Sequence, residues 1–338
     1  VAGFQVERST RESRLFAVAA AAAFLALAAL PYWGGPGDMR LVSEMAYYLA
    51  LAQLWNLLAG YAGLVSVGQQ AYVGLGAYAL YYLTAQFGMH PLVALALAGP
   101  IAAAISIPVA LAVFRLRGAY FAVGTWVMAE IFQLGVSLSK PLGGGSGLSL
   151  TPAIVRMIAP DRAGREMIVY WVSLVLLIVV CAIVYAVLRS RHGLALTAIR
   201  DSEPASASLG VDTFRTKLLI YVVAALCTGM VGAFIFLQKL RLSPEAGFSV
   251  NDWTVFVIFM VVIGGIGTLE GPIIGVVVFF LLREALFEFG TVYLILLGAI
   301  AVVVMLKAPG GLWGWVVQRY GLQLFPVNRR LDVPSAPN

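Results

Sequence analysis

The chain has 338 residues, of which 61% are hydrophobic and 11% charged, and its 22 basic and 16 acidic side chains leave a formal charge of +6. A soluble domain carries roughly 25% charged residues, so this chain turns apolar surface to lipid. The basic excess lies in short segments between apolar runs, which is membrane topology rather than nucleic-acid binding. Cys181 and Cys227 sit inside apolar runs and His90 and His192 are isolated, which excludes a disulfide framework, a metal site and a histidine-based catalytic pair.

Taken in order, a basic start (Arg8, Arg11, Arg14) precedes an apolar run over 15–30, read as a retained first helix rather than a signal peptide. Further runs of the length needed to cross about 30 Å of hydrocarbon cover 41–60, 67–87, 91–114, 119–139, 168–188, 218–239, 252–267, 272–289 and 291–307. The expected fold is an all-α polytopic membrane protein of about ten transmembrane helices, eight if the short runs 252–267 and 272–289 are re-entrant. Its parts are an N-terminal segment 1–14, a membrane domain 15–308 and a C-terminal tail 309–338. With the N-terminus inside, fourteen basic residues fall on inner segments and seven on outer ones. That bias places both termini in the cytoplasm.

Two glycine-rich stretches interrupt the spans. Gly60, Gly63, Gly68, Gly74 and Gly76 lie beside Ser66, Gln69, Gln70 and Tyr72. Small residues permit close helix packing, and broken helices at membrane depth can line a pathway with free backbone groups; the pattern allows both. In the second stretch Gly265, Gly267 and Gly271 imitate a dinucleotide loop, but the spacing is one residue too long and Pro272 follows. Gly267, Gly271 and Gly275 recur every four residues, a small-residue packing face. Inside the spans, Glu130 with Gln133 almost one turn on must face protein or water, touching either a polar substrate or a neighbouring helix. Arg283, Glu284 and Glu288 are expected to neutralise one another near the outer interface.

The polar segment 189–217 carries five basic residues, which places it in the cytoplasm. Leu194–Arg200 has helix formers with one apolar side. Ser202 can cap a second short helix, with Pro204 in its first turn and Gly210 ending it. Two capped helices between spans form a docking surface for a cytoplasmic partner. The outer segment 140–167, rich in glycine, is the other long connection. No nucleophile–base set and no phosphate-binding loop occurs, so the residues describe a transporter rather than an enzyme, with the energy source open. A secondary transporter or channel would need more mid-membrane carboxylates than Glu130.

The segments GYAGLVSVGQQAYVGLGAY (Gly60–Tyr78), LRGAYFAVGTWVMAEIF (Leu116–Phe132) and GGSGL (Gly144–Leu148) resemble the LivM-type permeases of branched-chain amino acid ABC importers. Arg191–Leu219 and GGIGTLEGPIIG (Gly264–Gly275) continue the resemblance in the same order. It implies a heteromeric importer of the bacterial inner membrane with a paralogous LivH-type permease, two ATPase subunits that use ATP, and a periplasmic binding protein. This chain would bind no cofactor. The resemblance makes Arg191–Gly210 the coupling loop that seats in the ATPase, with Arg191, Gly193, Leu196, Ile199, Arg200, Glu203, Ala205, Leu209 and Gly210 as its residues. Glu203–Pro204–Ala205 departs from the common Glu-Ala-Ala, and Gly210 follows seven residues after the glutamate rather than six. The outer segment 140–167 would face the binding protein. Branched-chain amino acids are the implied cargo, with urea, short amides and other amino acids as alternatives.

Overall fold

The computed structural model describes residues 5–7, 11–286, 292–308, 310–320, 324–325 and 330–332; Arg8, Glu288 and Arg329 lie outside the described residues. Among the described residues, each predicted apolar run contains helix. The first half comprises α1 (Arg11–Ala29), α2 (Pro36–Asn56, continued by a π-turn over Leu57–Tyr61), α3 (Gln69–Phe87), α4 (Pro91–Val113) and α5 (Ala119–Leu138). The second half runs through α6 (Pro152–Ile158), α7 (Arg162–Arg189), α8 (Arg191–Asp201), α9 (Glu203–Ser208) and α10 (Thr213–Lys239). It ends with α11 (Pro244–Gly247), a π-turn over Asn251–Val255, α12 (Phe256–Gly264), α13 (Glu270–Leu286), α14 (Val292–Lys307) and α15 (Gly311–Tyr320). Six helical stretches are long and apolar enough to cross a membrane: Pro91–Val113, Ala119–Leu138, Arg162–Arg189, Thr213–Lys239, Pro244–Gly264 and Leu294–Tyr320.

Helix boundaries follow local chemistry. Proline opens α2, α4, α6 and α11, where the missing N–H costs nothing. Asp161, Ser190, Ser202, Asp212 and Ser243 each accept a backbone N–H in the first turn of the helix they precede. Gly210 ends α9's turn at φ 84°, a left-handed conformation that a Cβ would strain.

The core is built around α2. From Ala46 to Asn56 every residue except Leu49 is buried, so this helix is wrapped by protein: it packs on α7, α10, α12 and α13. Insulation from lipid lets it carry Gln53 and Asn56 in an otherwise apolar face. A second layer joins α10 to α3 and α4 through glycine. A Cβ on Gly76 would collide with the Gly229 carbonyl, and one on Gly232 with the Val73 carbonyl. Those backbones can approach only because both positions lack a side chain.

In segment 140–167 two 3-10 turns lead to strand β2 (Leu148–Ser149), which pairs antiparallel with β3 (Arg241–Leu242), followed by α6 and the start of α7. One expectation here needs correction. Arg283 does not pair with Glu284; its guanidinium grips Glu44 of α2 through two bonds of 2.8 and 3.1 Å. Adjacent residues on a helix point about 100° apart, so the partner comes from the facing helix. After Ala308, Trp313 of α15 is buried and α15 packs against α12 and α13. Numbering β1 (Gln5–Glu7) and β4 (Arg330–Asp332) completes the strands; these two pair, so the segments near both termini meet.

Candidate functional site

The polar island folds as a bracket beneath the membrane helices. Ser190 ends α7 and caps α8, accepting the His192 N–H at 3.1 Å. Gly193 sits so close to the Leu188 carbonyl that a Cβ there would collide with it. That contact folds α8 back on the end of α7. Leu196 and Ile199 follow at three-residue spacing and are buried. This face is therefore spent on holding α8 to the chain.

α9 turns the other way. Ser202 caps it through the Ala205 N–H at 3.4 Å, and Ser206 is its buried residue. Ala205, Leu209 and Gly210 are exposed, Leu209 to 83%, with Arg191 and Leu194 exposed on α8. An apolar side chain so exposed at the tip of a capped helix has nothing among the described residues to cover it. The predicted docking residues thus divide: Gly193, Leu196 and Ile199 anchor, while Arg191, Ala205, Leu209 and Gly210 are presented.

Glu203 belongs with the anchors. Its carboxylate meets Lys217 Nζ at 2.6 Å, tying α9 to the first turns of α10. The Lys217 ammonium, by hydrogen bond first and then by charge, holds the Glu203 carboxyl below the usual carboxylate range.

Arg200 bonds the bracket to the first glycine stretch and lies beside the second. Its Nη1 donates to the Gly60 carbonyl at 2.9 Å, where α2 ends in its π-turn. Gly63 and Gly267 flank the side chain: a Cβ at Gly63 would lie 3.4 Å from Arg200 and one at Gly267 3.5 Å from its Nη1, both ordinary contact distances. On the same spot Asn56 clamps the turn between α12 and α13. Its Nδ2 donates to the Thr268 carbonyl at 2.7 Å and its Oδ1 accepts the Gly267 N–H at 2.8 Å. Gln53 donates to the Leu269 carbonyl at 2.7 Å. Gly267 therefore sits in this turn, at φ 78°, and not on the packing face with Gly271 and Gly275. Those two do pack: a Cβ on either would strike the Gly265 or Met260 carbonyl.

The pathway candidates scatter. Gln69 donates to the Leu51 carbonyl at 3.1 Å, and Tyr72 donates to the Tyr221 hydroxyl at 3.0 Å. With Ser66, Thr228 and Leu58 they line an enclosed cavity of about 10 Å³, room for a single water. Among the described residues Gln69 Oε1 has no hydrogen-bond partner there. Gln70 accepts from Thr254 at 2.5 Å and is fully buried. Gly74 packs beneath the Phe248 ring, and Gly76 against α10. Glu130 and Gln133 lie on α5 away from this group. Glu130 accepts from Trp126 of its own helix at 2.9 Å, beside an exposed apolar face of Val123, Val127, Ile131, Leu134 and Leu138. The sequence reading missed Gln53, Asn56, Lys217, Tyr221 and Thr254. Polar side chains inside apolar runs were the available signal for all but Lys217.

Comparison with known proteins adds an independent line. A profile of the family described as branched-chain amino acid transport system / permease component matches residues 39–306. The high-affinity branched-chain amino acid transport system permease protein LivM of Salmonella typhimurium is 27% identical over 91% of this chain and 76% of its own length. The Escherichia coli protein of the same name is 28% identical over the same shares. A probable branched-chain amino acid transport permease protein LivM of Methanocaldococcus jannaschii is 25% identical over 43% of this chain and 41% of its own length. No solved structure matches.

Proposed function

The chain belongs to the branched-chain amino acid transport permease family, and from that premise we propose that it is the membrane-spanning permease subunit of an ATP-driven importer of branched-chain amino acids. In this reading it pairs with a paralogous permease in a bacterial inner membrane. Two ATPase subunits bind the α8–α9 bracket from the cytoplasm and a periplasmic binding protein delivers the amino acid. The chain itself catalyses nothing; ATP is used by its partners. Ten crossings with both termini cytoplasmic fit the charge bias, and the pairing of β1 with β4 supports termini on one side.

The observation that carries the proposal is the bracket's two-sidedness. Its inner face is bonded through Arg200 to the broken end of α2, and Asn56 of α2 in turn holds the α12–α13 turn. Its outer face offers Leu209, Ala205 and Arg191 to solvent. A partner that moves the outer face moves two interrupted helices, which is how a ligand bound elsewhere biases a two-state membrane element. The pathway then lies where α5 presents its exposed face, with Glu130 and Gln133, to the second permease.

The test is uptake of labelled leucine, with labelled urea in parallel, into proteoliposomes holding the full complex and its binding protein. ATP-dependent leucine accumulation is expected. Urea accumulation instead keeps the machine and changes its cargo, and uptake by this chain without ATPases overturns the proposal.

A further inference from the structure

At the end of the molecule away from the bracket lies a second cavity. α10 has 27 residues, which at 1.5 Å per residue separates its two ends by about 40 Å. The first turn holds Lys217 at the bracket, and the last holds Lys239 at this cavity. The cavity measures about 740 Å³ between α2, α7, α10, α12 and α13, inside the roughly 300–1,000 Å³ range of small-molecule sites.

Its charges do not cancel. Glu166 is held by Arg40 and, at 3.1 Å, by Arg162. Glu44 is held by both arms of Arg283. Subtracting these pairs leaves Arg165 and Lys239 as cations and Asp252 as an anion, none with an ion pair among the described residues. Lys239 is steered by aromatic faces, 4.7 Å from the Trp253 centroid and 5.5 Å from that of Phe236. Asp252 is half-buried, and its backbone N–H donates to Ser249 at 3.3 Å. Met39, Val169, Leu237 and Phe256 supply apolar wall.

A cleft with unspent charges of both signs is matched by a ligand carrying both. We propose that this cleft binds a small zwitterion, its anionic group on Lys239 and Arg165, its ammonium on Asp252, and its aliphatic part against the apolar wall. A free aliphatic α-amino acid has this chemistry, and so does the ethanolamine headgroup of a phospholipid. The choice of leucine as probe rests on the proposed function.

The experiment uses the full chain in nanodiscs of phosphatidylglycerol alone, with binding of labelled leucine measured at equilibrium. Saturable binding is expected, weakened at least tenfold in Lys239→Gln and in Asp252→Asn, and unchanged in Leu306→Ser on the exposed face of α14. Asp252→Glu and Lys239→Arg keep the charges and should recover binding, which separates lost contacts from lost folding. In discs containing phosphatidylethanolamine, enrichment of that lipid on the wild type but not on Asp252→Asn, with leucine excluded, assigns the headgroup as the occupant. Neither leucine binding nor lipid enrichment, or binding indifferent to both substitutions, overturns the inference. Uptake by the assembled transporter keeps the two readings apart. Leucine uptake without binding at the cleft sinks this inference alone, whereas binding without any uptake sinks the transport reading alone.

Discussion

Replacing Arg200 by alanine removes the bond that joins the bracket to the end of α2. Hydrogen bonds to charged groups contribute about 1.5–3 kcal/mol, and the Arg200 side chain is 40% exposed, so the lower figure applies. Since 1.4 kcal/mol is tenfold in an equilibrium, the population of α8 seated against the Gly60 carbonyl should fall about tenfold. The substitution leaves Leu209, Ala205 and Arg191 untouched, so the ATPase subunits should still bind and hydrolyse ATP. What falls is transport per ATP: leucine uptake should drop about tenfold while ATP hydrolysis in the same proteoliposomes holds. Arg200→Lys should recover part of the loss, because an ammonium supplies the charge but not the planar fork. Uptake and hydrolysis falling in parallel would mean that Arg200 serves docking or stability, and an unchanged ratio would mean that the Gly60 contact transmits nothing. Either result refutes the bracket mechanism.

Three further outcomes follow from the same geometry. Leu209→Asp puts a charge on the most exposed apolar tip of the bracket and should abolish co-purification of the ATPase subunits without lowering the chain's own unfolding temperature; a retained complex would place the docking surface elsewhere. Gly76→Val drives a side chain into the Gly229 backbone and should cost about 1–3 kcal/mol by overpacking, read as a lowered unfolding temperature, whereas Gly37→Ala, which meets nothing within 4 Å, should be silent. Glu203 has a folded-state carboxyl held low by Lys217, so the pair's contribution is complete above the ordinary carboxylate pKa of about 4.3 and is lost as pH falls through the lowered value. ATPase binding should thus be flat from neutral to mildly acid pH and weaken only in strong acid. Lys217→Met should remove that acid-side loss and, the pair being partly exposed, cost no more than about 1 kcal/mol.

What could be read from the sequence divides by the range of the interaction that decides it. Helices and caps are decided within a few residues, so the helical character of the apolar runs and the short helix after Ser202 appear where local rules put them. Partners are decided across hundreds of residues. Nothing local says that Arg283 takes Glu44, or that Arg200 reaches Gly60. The case of Gly267 lies between. A glycine every fourth residue reads as one face only if a helix already runs through all of them, and here it does not. Thr268 accepts the Gly271 N–H at 3.0 Å, a capping bond that starts α13 after Gly267. The Thr-Leu-Glu-Gly string carried that stop signal, and the period obscured it. Once the helix begins at Glu270, Gly267 is free to take a positive φ and bring its N–H to Asn56. The same glycine lies beside Arg200. In the proposed mechanism the turn's bond to α2 therefore depends on the residue that the periodic pattern assigned to packing.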